Sequence, residues 1–108
     1  PEDTPGRGWI VATASNGVRV GVLNIMGTVF MHPTLDCPFS SANLAIEKKP
    51  SDVQAVLVDF HAEATSEKVA MGWYLDGRVS AVVGTHTHVP TADELCSLRV
   101  RPTSAMWV

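Results

Sequence analysis

The alternation of apolar and polar residues near the start of the chain predicts two β-strands. The runs "WIVATAS" (9–15) and "VRVGVLNIM" (18–26) are rich in β-branched residues and flank Asn16-Gly17. Asn-Gly between two such runs is a strong hairpin signal, because both residues tolerate the positive φ of a type I′ turn. We therefore predict an antiparallel hairpin closed by a type I′ turn.

The middle of the chain predicts a loop, a short helix and a buried strand. Residues 27–39 contain two prolines and show no regular period, which indicates a loop. Residues 40–49 are expected to form a helix, with Ser40 or Ser41 as its cap and Pro50 as its stop. The run "VQAVLVDF" (53–60) is almost continuously apolar, which predicts a strand buried on both faces.

A helical period follows in "ATSEKVAMGWYLDG" (64–77), and a second short buried strand in "RVSAVVG" (78–84). Thr65 or Ser66 is expected to cap the helix, Glu67 to complement its dipole, and Gly77 to end it. Helical spacing places Val69, Ala70, Trp73 and Tyr74 on one side, and Met71, Trp73 and Tyr74 are expected to belong to the packed face. The order of elements predicts an α/β fold, a β-hairpin followed by a β-α-β unit.

Three of the four histidines follow the two strands of this β-α-β unit. His61 comes after the first strand, and His86 and His88 come after the second. The carboxyl ends of parallel strands emerge at one edge of a sheet, where ligand sites of open α/β sheets lie. We therefore expect these three side chains to meet. His32 has no such placement and is expected to be a surface or hydrogen-bonded imidazole.

The three histidines form a candidate metal site. In an extended segment, residues i and i+2 point to the same face, so His86 and His88 could reach one cation or two adjacent cations. Imidazole binds Zn, Fe, Mn, Ni or Cu, so the residues do not select a metal. Asp59 and Glu63 are interpreted as outer or structural carboxylates. The threonines of "GTHTH", Thr85 and Thr87, are expected to form hydrogen bonds rather than to act as nucleophiles.

Composition limits the alternatives. A chain of 108 residues, 45% hydrophobic and 18% charged, is typical of one globular domain. A net charge of −3 does not favour binding to nucleic acid or to an anionic membrane. No apolar run approaches the ~20 residues that span a bilayer. Cys37 and Cys96 match no metal or redox spacing, which favours free thiols and a cytoplasmic protein.

The stretch "VDFHAEATSEKVAMGWYLDGRVSAVVGTHTHVPTADE" (58–94) resembles the YmdB-type branch of the bacterial calcineurin-like metallophosphoesterases, which includes 2′,3′-cyclic-nucleotide phosphodiesterases. The resemblance covers residues 1–94 and implies the central part of a metallophosphoesterase α/β sandwich. It implies a two-metal site, with iron or manganese as cofactor. His61 and His86 would bind one ion and His88 the other. The implied partner is a small phosphodiester, with no nucleic-acid duplex and no membrane.

The chain departs from that family in what it lacks. The remaining metal ligands and the catalytic histidine of the family are absent, so no catalytic residue is assigned. At most one metal ion is expected on this chain alone, and the isolated chain is expected to be inactive. Two alternatives are a single-metal-binding module that uses the three histidines, and a non-functional gene fragment. A homo-oligomer is left open.

Residues 95–108, "LCSLRVRPTSAMWV", form an atypical tail without a strand or helix period. Read with an offset of one base, permitted codons for this tail spell "LFPAGTAYISDVG", which resembles the continuation of the family. We hypothesise an out-of-frame tail, with natural divergence as the alternative. The start of the chain, "PEDTPGRG", has no initiator methionine and is expected to be a linker inside a longer sequence.

Overall fold

A computed structural model describes residues 6–31, 36–87, 95–96 and 105–107. The elements in these residues are β1 (Trp9–Thr13), β2 (Arg19–Met26), α1 (Pro38–Glu47), β3 (Ala55–His61), α2 (Thr65–Tyr74), β4 (Ala81–Thr85), β5 (Leu95–Cys96) and β6 (Ala105–Trp107). The predicted α/β class is confirmed. None of the helices in the described residues is long and apolar enough to span a membrane.

All of these strands belong to one sheet, in the order β1-β2-β3-β4-β6-β5. The predicted hairpin pairs β1 with β2, and the predicted β-α-β unit pairs β3 with β4 in parallel. A second parallel crossover, from β2 through α1 to β3, was not predicted. Because β3 pairs in parallel on both sides, Met26, His61 and Thr85 lie side by side at the carboxyl edge of the sheet.

The turn of the hairpin differs from the predicted type. Gly17 has a φ of 85°, but Asn16 is not among the residues with positive φ. The Gly17 N–H donates to the Ala14 carbonyl at 2.9 Å, and the Ala14 N–H donates to the Val18 carbonyl at 2.8 Å. These bonds define a loop of three residues, in which only the last needs positive φ. The hairpin prediction is confirmed and the type I′ prediction is wrong.

Only one face of the central strands lies in the hydrophobic core. Alternate residues of β3, namely Val56, Val58 and Phe60, are buried, and the residues between them are half-buried. Both helices contribute to the single core cluster, which also includes Leu23, Ile25, Ala42, Met71, Leu75 and Val82. The prediction that β3 is buried on both faces is therefore wrong, because successive strand residues point to opposite sides and only one side meets the helices.

Both helices begin without the predicted caps. The first begins at Pro38, two residues earlier than expected, and follows Cys37 rather than Ser40 or Ser41. Proline suits this first position because its missing N–H would have no partner inside the helix. The second follows Ala64 rather than Thr65 or Ser66. After its end, Gly77 adopts a φ of 76°, which glycine accommodates without strain.

The buried side of α2 is not the predicted one. Trp73 and Tyr74 are 61% and 42% exposed, whereas Glu67 and Lys68 are only 7% and 3% exposed. Met71 is fully buried, as predicted. The apolar period failed here because two charged residues share the packed side of the helix. Their burial is tolerable because both side chains form hydrogen bonds, which offset the cost of removing charge from water.

The buried Glu67 carboxylate ties α2 to the loop that follows β2. It accepts hydrogen bonds from the Thr28 N–H at 2.9 Å, the Thr28 hydroxyl at 3.3 Å and the Val29 N–H at 3.2 Å. The residue before Thr28 is Gly27, where a Cβ atom would lie 2.5 Å from Glu67 Oε2 and 2.6 Å from the Ala62 Cβ. The close approach of strand end and helix start therefore requires glycine at this position.

Part of the tail pairs with the sheet although it shows no strand period. Leu95–Cys96 and Ala105–Trp107 pair with each other, and the latter pairs in parallel with β4. The pattern of the sequence did not predict these strands. The rest of the tail lies outside the described residues. The division of the chain at residue 94 and the out-of-frame origin of the tail stay predictions.

Replacing Glu67 with Gln tests the anchoring of the loop. Both oxygens of Glu67 accept hydrogen bonds from backbone N–H groups, but the glutamine side chain has an NH₂ group in place of one oxygen. Two donors would then face each other, so we expect the free energy of unfolding, measured in urea, to fall by about 1–3 kcal/mol. Glu47→Gln is the matched control, because Glu47 is exposed. Within the described residues, its side chain accepts a hydrogen bond from Asn43, one turn earlier in the same helix. It should change stability by less than ~0.5 kcal/mol. Equal losses in the two variants would contradict the anchoring role.

Candidate metal centre

Two of the predicted histidines meet at the carboxyl edge of the sheet. His61 is the last residue of β3, and His86 directly follows β4. His86 Nδ1 lies 3.0 Å from His61 Nε2, and the two rings are nearly perpendicular with centroids 4.8 Å apart. His86 has a φ of 104°, a backbone conformation that is rare outside glycine. Such strain concentrates at functional sites, which makes this contact the centre of the candidate site.

A chain of hydrogen bonds holds His61 from its other side. His61 Nδ1 lies 3.1 Å from the Thr85 hydroxyl, and that hydroxyl donates to Asp59 Oδ1 at 2.9 Å. The second oxygen of Asp59 accepts from the Asn24 side-chain amide, also at 2.9 Å. Asp59 thus reaches His61 through Thr85. Thr85 forms hydrogen bonds, as predicted.

Glu63 contacts the site directly. Its Oε2 atom pairs with His86 Nε2, on the far side of the ring from His61. The sequence indicated Glu63 only as an outer or structural carboxylate. Its contact depends on the chain leaving β3 at His61 and turning towards the end of β4, which a strand pattern does not show. His86 is therefore held between an imidazole and a carboxylate.

A buried lysine supports the loop that carries the second histidine. Lys68 lies on the first turns of α2, and its ammonium group donates to the Thr87 hydroxyl at 3.3 Å. The helical pattern did not indicate a buried lysine, so this contact was missed. The only sign of the buried lysine in the sequence is that two charged residues, Glu67 and Lys68, stand at adjacent positions next to the apolar period.

The donor atoms of the histidine pair suit a transition metal. Two nitrogens 3.0 Å apart are spaced like neighbouring ligands of one ion at metal–nitrogen bonds of about 2.0–2.1 Å. Among the described residues, however, no group of three or more His, Cys, Asp or Glu side chains is arranged to hold a metal ion. His88 and His32 lie outside the described residues. The assignment of His61, His86 and His88 as ligands stays a prediction.

An open cleft of about 540 Å³ lies at the start of α1 and α2. Thr28, Glu67, Phe39 and Cys37 are among its lining residues. The pKa of the Cys37 thiol is lowered, first by the backbone N–H of Ser40 and then by the Ser40 side chain and the Phe39 N–H. Cys37 is a free thiol, as predicted, and it is exposed.

The fold is part of a metallophosphoesterase α/β sandwich, and solved structures share this part. The chain matches a phosphatase from Mycoplasma pneumoniae with a TM-score of 0.81 and 35% identity, over 94% of this chain and 34% of that one. It matches a hypothetical protein from Thermus thermophilus with a TM-score of 0.85 and 43% identity, over 99% of this chain and 40% of that one.

Sequence comparison places the chain in one family within this class. Residues 1–99 match the model of the YmdB-like proteins, and the chain belongs to that family. It is 54% identical over 93 residues to the 2′,3′-cyclic-nucleotide 2′-phosphodiesterase of Bacillus subtilis (strain 168). That match covers 86% of this chain and 34% of the relative. The chain thus spans about a third of the length of this relative.

The lowered pKa of Cys37 predicts a measurable reactivity. Because the thiolate is favoured in the folded chain, alkylation of a Cys96→Ser variant by iodoacetamide should reach its half-maximal rate at lower pH than the same variant in urea. Ser40→Ala should raise this midpoint, because it removes one of the stabilising hydrogen bonds. Ser41→Ala, on the next residue, should leave it unchanged. The same midpoint in folded and unfolded protein would contradict the assignment.

Proposed function

We propose that this chain carries part of the active site of a metal-dependent phosphodiesterase that hydrolyses small phosphoesters such as 2′,3′-cyclic nucleotides. The observation that carries the proposal is the contact between His61 and His86 at the carboxyl edge of parallel strands, the edge where open α/β sheets bind ligands. Membership of the YmdB-like family supports the proposal, and the activity of the Bacillus subtilis relative supplies the substrate class.

In this proposal the histidines bind metal and the surrounding residues hold them in place. His61 and His86 bind one ion, and His88 contributes to a second. Two cations, iron or manganese by family resemblance, would supply electrostatic stabilisation of the charge that develops on phosphoryl oxygens. Asp59, acting through Thr85, and Glu63 restrain the imidazoles, as outer carboxylates commonly do around metal-binding histidines.

The site is accessible to a small substrate. The His86 side chain is 33% exposed and the Glu63 side chain 47% exposed, so the pair lies at an open surface. We assign no catalytic acid or base among the described residues.

A single-metal-binding module is the second candidate. It is favoured by the small donor set of the described residues, in which two histidine nitrogens face each other and no larger metal-holding cluster is present. This candidate and a complete phosphodiesterase site, in one chain or in an assembly, differ in metal stoichiometry and in turnover. A two-metal hydrolase site holds two ions, whereas the three histidines alone hold one.

Metal content per chain, with turnover of bis-p-nitrophenyl phosphate in Mn²⁺, tests the proposal on the purified 108-residue protein. We expect at most one bound ion and no turnover by the chain alone. His61→Asn should lose the ion because it removes a ligand. His32→Asn, the same change at a histidine outside the proposed site, should retain it.

Two results would change the conclusion. Two ions with turnover abolished by His88→Ala would mean that this chain, alone or as an oligomer, forms a complete site. Equal metal content in the His61→Asn and His32→Asn variants would contradict the assignment of His61 as a ligand.

A further inference from the structure

We propose that Thr85 and Asp59 are positioning residues that fix the tautomer of His61, so that its Nε2 atom is unprotonated and directs its lone pair towards His86. This role rests on the proposed function, because it concerns the same histidine. It adds Thr85 and Asp59 to the residues of the site, and it states which ring nitrogen of His61 carries the proton. Both follow from which atoms in the chain Asn24–Asp59–Thr85–His61 can donate.

The direction is set at Asp59. A carboxylate only accepts hydrogen bonds, and the two oxygens of Asp59 face the Thr85 hydroxyl and the Asn24 amide. The Thr85 hydroxyl has one proton and donates it to Asp59 at 2.9 Å. Towards His61, 3.1 Å away, the same oxygen can therefore only accept. His61 must then donate from Nδ1.

The proton on Nδ1 of His61 determines the protonation state of its other ring nitrogen, Nε2. A neutral imidazole carries one proton, so a proton on Nδ1 leaves Nε2 unprotonated. That nitrogen faces His86 Nδ1 at 3.0 Å, on the side of the ring where the two histidines meet. The sheet register fixes this arrangement, because His61 and Thr85 are paired in neighbouring parallel strands. Asp59 lies two residues before His61 and therefore points to the same face of the sheet.

The hydroxyl also explains why residue 85 is threonine rather than an apolar β-branched residue. Thr85 ends a strand whose preceding residues are Val82, Val83 and Gly84. A valine at this position would suit the strand equally well but could not accept a hydrogen bond from His61. The Thr85→Val change would therefore leave Nδ1–H without its partner, while keeping the shape of the side chain.

Nitrogen chemical shifts of His61 test the proposal on the full 108-residue chain without metal. At about pH 8, where histidine is mainly neutral, wild type should show a protonated Nδ1 and an unprotonated Nε2. Thr85→Val should shift the proton population towards Nε2–H, whereas Thr85→Ser should restore the wild-type pattern. Asp59→Ala should also shift it, because the Thr85 hydroxyl can then turn and donate to His61.

Zn²⁺ titration gives a second readout. Thr85→Val should weaken Zn²⁺ binding about 10–100-fold, as loss of an outer partner of a metal-binding histidine commonly does. Thr85→Ser should bind like wild type. Thr13→Val, the same loss of a hydroxyl at an exposed position of β1, should have no effect on either readout.

An unchanged His61 tautomer in both Thr85→Val and Asp59→Ala would overturn the inference. The two proposals fail in different ways. If the tautomer shifts as expected but neither the wild type nor any variant binds Zn²⁺, the positioning role stands and the metal-dependent function fails. If wild type and Thr85→Val bind Zn²⁺ equally with the same tautomer, the function stands and the positioning role fails.

Discussion

Parallel pairing of β3 with β2 and β4 is the constraint on which the rest of the structure depends. It places the ends of three strands in one row, and a slip of one residue would turn His61 to the helix-covered face. The Gly27 N–H bond to the His61 carbonyl, at 2.9 Å, continues the pairing past the end of β2. Backbone geometry thus brings the histidines together, and side-chain hydrogen bonds then orient them.

The helix between β3 and β4 connects the core to the site. Met71 packs into the core, while Glu67 and Lys68 on the same side of α2 reach the loops after β2 and β4. One helix therefore restrains two of the loops that border the candidate site. Burial of these charges is costly unless they are hydrogen-bonded, so their partners belong to the architecture as much as the apolar core does.

The sequence predicted β1 to β4, both helices and the meeting of His61 with His86, because strand runs and β-α-β order are local signals with fixed geometric consequences. It did not predict the side of α2 that packs, since Trp73 and Tyr74 fit an apolar period that tertiary hydrogen bonds of Glu67 and Lys68 overrode. Nor did it predict the three-residue turn at Gly17 or the contact of Glu63 with His86. The packing of α2 and the Glu63 contact depend on where distant segments of the chain lie, which a local pattern does not contain. The turn is local, but Asn-Gly suits more than one turn type, and here only Gly17 has positive φ.

The central claim is that the carboxyl edge of the sheet is a metal centre. The most direct test of this claim is the location of a bound ion. Anomalous scattering from crystals of the chain grown with MnCl₂ would give that location. We predict that the strongest anomalous peak lies beside His61 Nε2 and His86 Nδ1. A strongest peak elsewhere, with those two nitrogens still hydrogen-bonded to each other, would contradict the claim.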